Sequence, residues 1–181
     1  MATAILTPTS VVSSTGWSGV TAANLADNDA AFEATDGHPG EIINTEITDA
    51  PADYSSGNTV QLRVRWNISG TATRAKSLLV QMVDTGGNQI GSATYTTPTK
   101  SSAGESTDTS TAISLNLSAA ELTAARLRIT VQEGGGMSDS VTALVDYVAV
   151  LLDYNSDLSV PAKARRLRPV DPTAVRRSYY R

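Results

Sequence analysis

Asp27-Asn28-Asp29 sets oxygen-bearing side chains in a short run, the way a loop begins to wrap a calcium ion. An EF-hand loop needs oxygens at alternate positions, glycine at the sixth and a bidentate glutamate at the twelfth. Here the fifth position is Ala31, the sixth Phe32 and the twelfth His38, so the EF-hand pattern fails. A calcium loop of another type stays open. Against it stands a corner between strands, where Asx side chains bond their own backbone and Trp17 and Leu25 cover one end of the core. The corner is the expectation for residues 16–37, and no cofactor is expected.

Other chemistry has thinner support. Paired carboxylates serve glycosidases, and Asp27 with Asp29, or Asp146 with Asp153, are the available pairs. Asp146 interrupts an apolar strand. It is expected either to face inward with Leu144 and Val148 or to sit at an edge beside Arg126 or Arg128, as a hydrogen-bonded strand aspartate. The single histidine, His38, lies in DGHPG, a turn in which a solvated imidazole is the ordinary outcome. The glycine-rich EGGGMSD (residues 133–139) joins two strands, whereas a phosphate cradle needs a helix N-terminus directly after it. No G-x-S-x-G elbow, Walker loop or H-E-x-x-H is present, so a non-enzymatic protein is expected.

These residues need elements to position them, and the dominant period along the chain is two. In residues 59–68 (TVQLRVRWNI), Val60, Leu62, Val64, Trp66 and Ile68 share one face, and Gln61, Arg63, Arg65 and Asn67 share the other. That alternation predicts a half-buried strand. Residues 126–131 repeat it with Leu127, Ile129 and Val131 inward, and residues 112–117 with Ile113, Leu115 and Leu117. Residues 77–83, a turn over 84–88 and residues 89–97 predict a hairpin. Residues 4–7, 31–35 and 41–47 are further strands. Residues 141–154 are apolar on both faces, the mark of a strand covered on both sides. On this strand Val141, Val145, Tyr147 and Leu151 are expected on one side, and Leu144, Val148, Val150 and Leu152 on the other. Ser118 and Glu121 have capping-box spacing and predict about two turns of helix. Residues 97–111, rich in Ser, Thr and Gly, predict a surface loop. Seven to nine strands and one short helix imply an all-β fold: an antiparallel, jelly-roll-like β-sandwich with an extended C-terminal arm.

The composition agrees with one domain of ordinary size: 181 residues, 40% hydrophobic and 18% charged. No apolar run is long enough to suggest a membrane span, and the first residues carry no secretory pattern. With no cysteine, disulfides, thiolate metal sites and cysteine nucleophiles are excluded. Charge divides the chain. Residues 155–181 carry seven Lys/Arg against two Asp/Glu, while residues 1–154 carry seven against sixteen. A β-sandwich domain (1–154) with net charge −9 thus precedes a basic arm (155–181) of +5, interrupted by three prolines. The arm's apolar residues exceed what a spacer needs, so it is read as a segment that orders on a partner. Its expected contact residues are Lys163, Arg165, Arg166, Leu167, Arg168, Arg176, Arg177, Tyr179 and Tyr180. The acidic body would repel nucleic acid, so a negatively charged protein surface is the expected target.

Several segments, in order, resemble a diffuse group of tailed-bacteriophage virion proteins: TPTSVVSSTGWSGVTAANLADNDAAFEAT, VQLRVRWN, LNLSAAELTAARLRITVQ and VDYVAVLLDY. Together they extend over roughly residues 5–154. The resemblance implies a jelly-roll or carbohydrate-module type of sandwich that serves as a structural part of a virion, with no catalytic residues. The basic arm departs from that pattern. The expected function is a capsid-decoration or head-side accessory protein, assembled in the host cytoplasm as a homo-oligomer or symmetric array and docked to other virion proteins through the arm. The alternatives are a tail-tip or fibre component, or a glycan-binding module for host attachment with Trp17 and Tyr54 as aromatic platforms.

Overall fold

The computed structural model describes residues 1–133 and 140–156. Their elements are, in order, β1 (Ala2–Leu6), β2 (Pro8–Ser14), β3 (Ala34–Gly37), β4 (Ile42–Ile47), β5 (Tyr54–Ile68), β6 (Lys76–Val83), β7 (Gln89–Thr96), β8 (Ser106–Thr109), β9 (Ile113–Ser114), α1 (Ala119–Thr123), β10 (Arg126–Glu133) and β11 (Ala143–Ser156). Every strand pairing is antiparallel. One sheet runs β1-β11-β5-β8, with β3 also on β11 and β9 also on β5; the other runs β2-β4-β10-β6-β7. The protein is an antiparallel, jelly-roll-like β-sandwich.

The alternating strands put their apolar faces into one core. Val60, Leu62, Val64, Trp66 and Ile68 of β5 are buried, as are Leu127, Ile129 and Val131 of β10 and Leu78, Val80 and Met82 of β6. The Trp66 indole N–H donates to Asp108 Oδ2 at 2.7 Å, which satisfies its one polar atom. On the rim, the Ser118 hydroxyl accepts from the Glu121 amide and the Glu121 carboxylate accepts from the Ser118 amide, so the expected capping box forms. The hairpin turn also forms, with the Asn88 amide donating to Asp84 Oδ1 at 2.8 Å and Gly87 at φ 84°.

Several expectations are corrected. The strand expected over 31–35 is β3, three residues later. The strand expected over 112–117 shrinks to Ile113–Ser114. Two unforeseen strands, β2 and β8, are edge strands with sequences PTSVVSS and STDT. Neither alternates cleanly, because an edge strand is recruited by its neighbour's open hydrogen bonds rather than by its own apolar face. β8 lies within the stretch expected to be a loop.

The largest correction concerns β11. Its pairing with β5 shifts register between Val145 and Tyr147, so Asp146 is the extra residue of a β-bulge. The bulge reverses the alternation. Ala143 and Val145 join the core before it, and Val148, Val150, Leu152 and Tyr154 after it. The expected grouping of Val145 with Tyr147 and Leu151, and of Leu144 with Val148, is therefore wrong. β11 also runs on past residue 154, with Asn155 opposite Ser56 and Ser156 opposite Tyr54.

Tyr54 closes one end of the core. Its hydroxyl donates to the Leu117 carbonyl at 2.6 Å, and its ring packs against Tyr154 at 5.6 Å between centroids. Burial raises the pKa of Tyr54, and likewise of Tyr95 and Tyr147. In the unfolded chain these phenols ionise near pH 10 while the folded protein still holds their protons, so stability is expected to fall as pH climbs past 10. Tyr54→Phe is expected to cost about 1 kcal/mol near neutral pH, measured by urea unfolding, because it leaves the Leu117 carbonyl without its donor.

Candidate functional site

One edge of β11 is taken by β5 along the strand's length. The other edge is filled in succession. β3 pairs at Ala143 and Val145, the Val148 amide donates to the Leu25 carbonyl at 2.9 Å, and β1 pairs from Val150 to Tyr154. Residues 15–33 thus fill the gap between β3 and β1, and Asp146 lies in that gap.

The corner is held locally before it reaches Asp146. The Trp17 ring packs against Gly37, where a Cβ would come within 2.4 Å of ring carbons. Gly19 has φ 67° and backs onto the Glu33 carbonyl, where a Cβ would lie 2.1 Å away, so neither glycine can carry a side chain. The Asn24 side chain donates to the Gly19 carbonyl at 2.8 Å, and Leu25 is buried. The expected corner, with Trp17 and Leu25 covering one end of the core, is what the structure contains.

The corner also has a chemical face. Asp27, Asp29 and Asp146 each bring a carboxylate oxygen to within 4.8 Å of the other two. The two loop aspartates are exposed, whereas Asp146 is 0% exposed. Asp146 Oδ2 accepts from the Ala30 amide at 3.3 Å and lies 3.4 Å from Arg65 Nη1. Asp146 Oδ1 is buried and has no hydrogen-bond partner. Arg65 is divided among several acceptors: the Asn28 carbonyl and side chain at 3.2 and 3.3 Å, and the Glu105 carboxylate. Burial pushes the Asp146 carboxyl above the ordinary carboxylate range; the Ala30 amide and Arg65 pull it back, and Asp29 and Asp27 push it up again.

Asp146 therefore neither faces inward with Leu144 and Val148 nor sits beside Arg126 or Arg128, which belong to β10 in the other sheet. Its cation is Arg65, on the polar face of β5. The bulge accounts for the difference, because it turns Asp146 out of the alternation and toward the corner. Asp153 lies apart from the cluster, and its Oδ2 accepts from the Thr59 hydroxyl at 3.2 Å. His38 is exposed in its turn, with its amide donating to the Glu41 carboxylate at 2.7 Å. Sequence reasoning missed Arg65 and Glu105 as members of the cluster. Arg65 was visible as an outward cation on β5, but Glu105 lies in the Ser/Thr/Gly-rich stretch and carried no signal.

The expected aromatic platforms are not platforms. Trp17 and Tyr54 are each 8% exposed, and every aromatic side chain among the described residues is buried or half-buried. A recess of about 190 Å³ on the other sheet is lined by Arg126 and Arg128, but their guanidinium groups already donate to the Thr85 and Gly87 carbonyls. The nine expected contact residues, Lys163 to Tyr180, lie outside the described residues, as does the glycine-rich stretch 134–139. Among the described residues no helix is long and apolar enough to cross a membrane.

No protein-family model matches the chain, and no curated protein sequence does. Among solved structures, it is similar to the CBM36-1 domain of a multidomain xylanase from the hindgut metagenome of Trinervitermes trinervoides, at 10% identity over 86% of this chain and 99% of that one, with a TM-score of 0.46. It is also similar to structures of infectious bursal disease virus. The Gt strain matches at 8% identity over 87% of this chain and 33% of that one, with a TM-score of 0.36. The Gx strain matches at 9% identity over 86% and 33%, with a TM-score of 0.33. The chain spans about a third of the length of these viral chains.

Substitutions at two positions test the corner. Trp17→Ala is expected to destabilise the protein by about 3–5 kcal/mol in chemical denaturation, the cost of a truncated core aromatic rather than of a lost surface contact. Ala30, at φ 74°, occupies a backbone region that costs a residue with a Cβ about 1–2 kcal/mol. Ala30→Gly is therefore expected to raise stability by about 1 kcal/mol or leave it unchanged, with Ala30→Val lowering it, all read from denaturation midpoints.

Proposed function

We propose that this chain is a non-enzymatic structural protein of a tailed-bacteriophage particle, a capsid-decoration or head-side accessory protein whose sandwich is tethered to a neighbouring subunit by the basic arm. The observation that carries the reading is the anchorage of that arm. β11 leads directly into it, and β11 pairs with β5 from Ala143 to Ser156 and with β1 from Val150 to Tyr154. A pull along the arm therefore loads antiparallel ladders on both edges of a buried strand, instead of peeling a terminus from the surface.

Charge supports the same reading. A +5 arm on a −9 body suits an acidic groove on a neighbour, including a second copy of this body in a symmetric array. The docking residues would be Lys163, Arg165, Arg166, Leu167, Arg168, Arg176, Arg177, Tyr179 and Tyr180. An arm that orders on docking gives up conformational entropy for contact area, and repetition around a particle multiplies a weak single contact. A glycan-binding role for Trp17 and Tyr54 loses its platforms to the core. A place at the tail tip or in a fibre would use the same tether, and the position of the protein in the particle distinguishes it from a head-side one.

Truncation after Ser156 provides the test. The shortened protein is expected to unfold within a few degrees of the full chain, because β11 is kept whole. In a phage producing only the shortened form, it is expected to be missing from purified particles analysed by mass spectrometry. Undiminished incorporation would overturn the proposal.

A further inference from the structure

We propose that Asp27, Asp29 and Asp146 hold a calcium ion that fastens the 15–33 corner to the bulge of β11. The reading is independent of any place in a particle. Three observations carry it together. The first is spacing. Calcium takes oxygens at about 2.3–2.6 Å, so two oxygens on opposite sides of one ion stand about 4.6–5.2 Å apart. Carboxylate oxygens all within 4.8 Å of one another can enter one such sphere without moving the backbone.

The second observation is the state of Asp146. It is a carboxylate with no exposed surface, and its Oδ1 has no hydrogen-bond partner. A buried carboxylate with one oxygen unpaired, in a side chain that stands close to two further carboxylates, is costly for a fold to keep. The third is charge balance. Arg65 is the cation that meets Asp146, and Arg65 is shared with Glu105 and the Asn28 oxygens. A divalent cation converts the mutual repulsion of the three aspartates into attraction, and it gives the orphaned oxygen a partner.

The donor set selects the ion. All the donors are oxygens, with no imidazole or thiolate in the cluster, which favours a hard cation over zinc or copper. Magnesium demands a near-ideal octahedron at about 2.0–2.1 Å and gives up its waters reluctantly. A site made from one rigid strand residue and two residues of an exposed loop suits the variable geometry of calcium, with water completing the sphere. Asp27 and Asp29 would each change from a repelling surface charge to a ligand, and the corner would become an integral part of the sheet.

The test uses the purified full chain after removal of divalent ions with EDTA. Calcium chloride at a hundredfold excess over the dissociation constant is expected to raise Tm by about 5–10 °C, with saturable heat in calorimetric titration. Magnesium chloride at equal concentration and ionic strength is expected to give at most a third of that shift. Asp27→Asn and Asp29→Asn, both at exposed positions, are each expected to weaken calcium binding at least tenfold while the protein stays folded. The Asp27→Asn/Asp29→Asn double variant should lose the shift altogether. Asp146→Asn is expected to abolish the calcium response; if that variant does not fold, the loop variants still decide. The proposal is overturned if calcium leaves Tm and heat unchanged, if magnesium acts equally well, or if the double variant responds like the parent.

Discussion

The pairing of β11 is the constraint on which the rest of the molecule depends. Its two edges are closed by β5 on one side, and by β3, the Leu25 carbonyl and β1 on the other. A strand so enclosed satisfies its backbone polar groups while both of its faces are covered. This fixes the N-terminal strand, the corner and the chain's last described residues against one another. It also accounts for the apolar run of β11, since Val148 and Val150 enter the core while Tyr147 and Ala149, between and beside them, are buried on the other face.

The bulge at Asp146 is where that regularity is given up. An extra residue breaks the ladder, reverses which residues face the core and aims a carboxylate sideways. The cost is visible in the buried, unpaired Oδ1 and in a corner that takes Asn28 and Ala30 to positive φ. Contrast the other deeply buried charge. Lys76, opposite Glu133 in the β6–β10 register, meets its carboxylate at 2.7 Å, so charge and geometry are matched within one sheet. Asp146 has a cation too, but Arg65 is spread over Asn28 and Glu105 and leaves the cluster net negative.

Polar groups elsewhere are arranged to close the ends of the sandwich. Trp66 is an inward residue whose indole N–H still finds Asp108, and Lys100 lies over its ring at 4.6 Å while donating to the Trp66 carbonyl. At the opposite end Tyr54 and Tyr154 pack with their rings tilted by 32°, and their hydroxyls reach Leu117 and Asp53. Trp66, Tyr54 and Tyr154 each cover apolar neighbours with a ring and satisfy its polar tip. None of the three remains as a surface platform.

The local rules of the chain determined a good deal. The alternation in β5 and β10, the capping box at Ser118 and the Asp84–Asn88 turn depend on residues a few positions apart, so they were legible as written. The division into an acidic body and a basic arm needed only counting. What the tertiary structure decided were matters of long-range pairing. The edge strands β2 and β8 exist because β4 and β5 offer open hydrogen bonds, which no propensity in PTSVVSS or STDT announces. The bulge cancels the parity that sequence reasoning extrapolated through β11, since one inserted residue flips every side chain beyond it. Asp27 and Asp29 meet Asp146 across more than a hundred residues because the corner fills a gap between β3 and β1. A period in the sequence reports which way a side chain points along its own strand, but only the closed sheet decides what it points at.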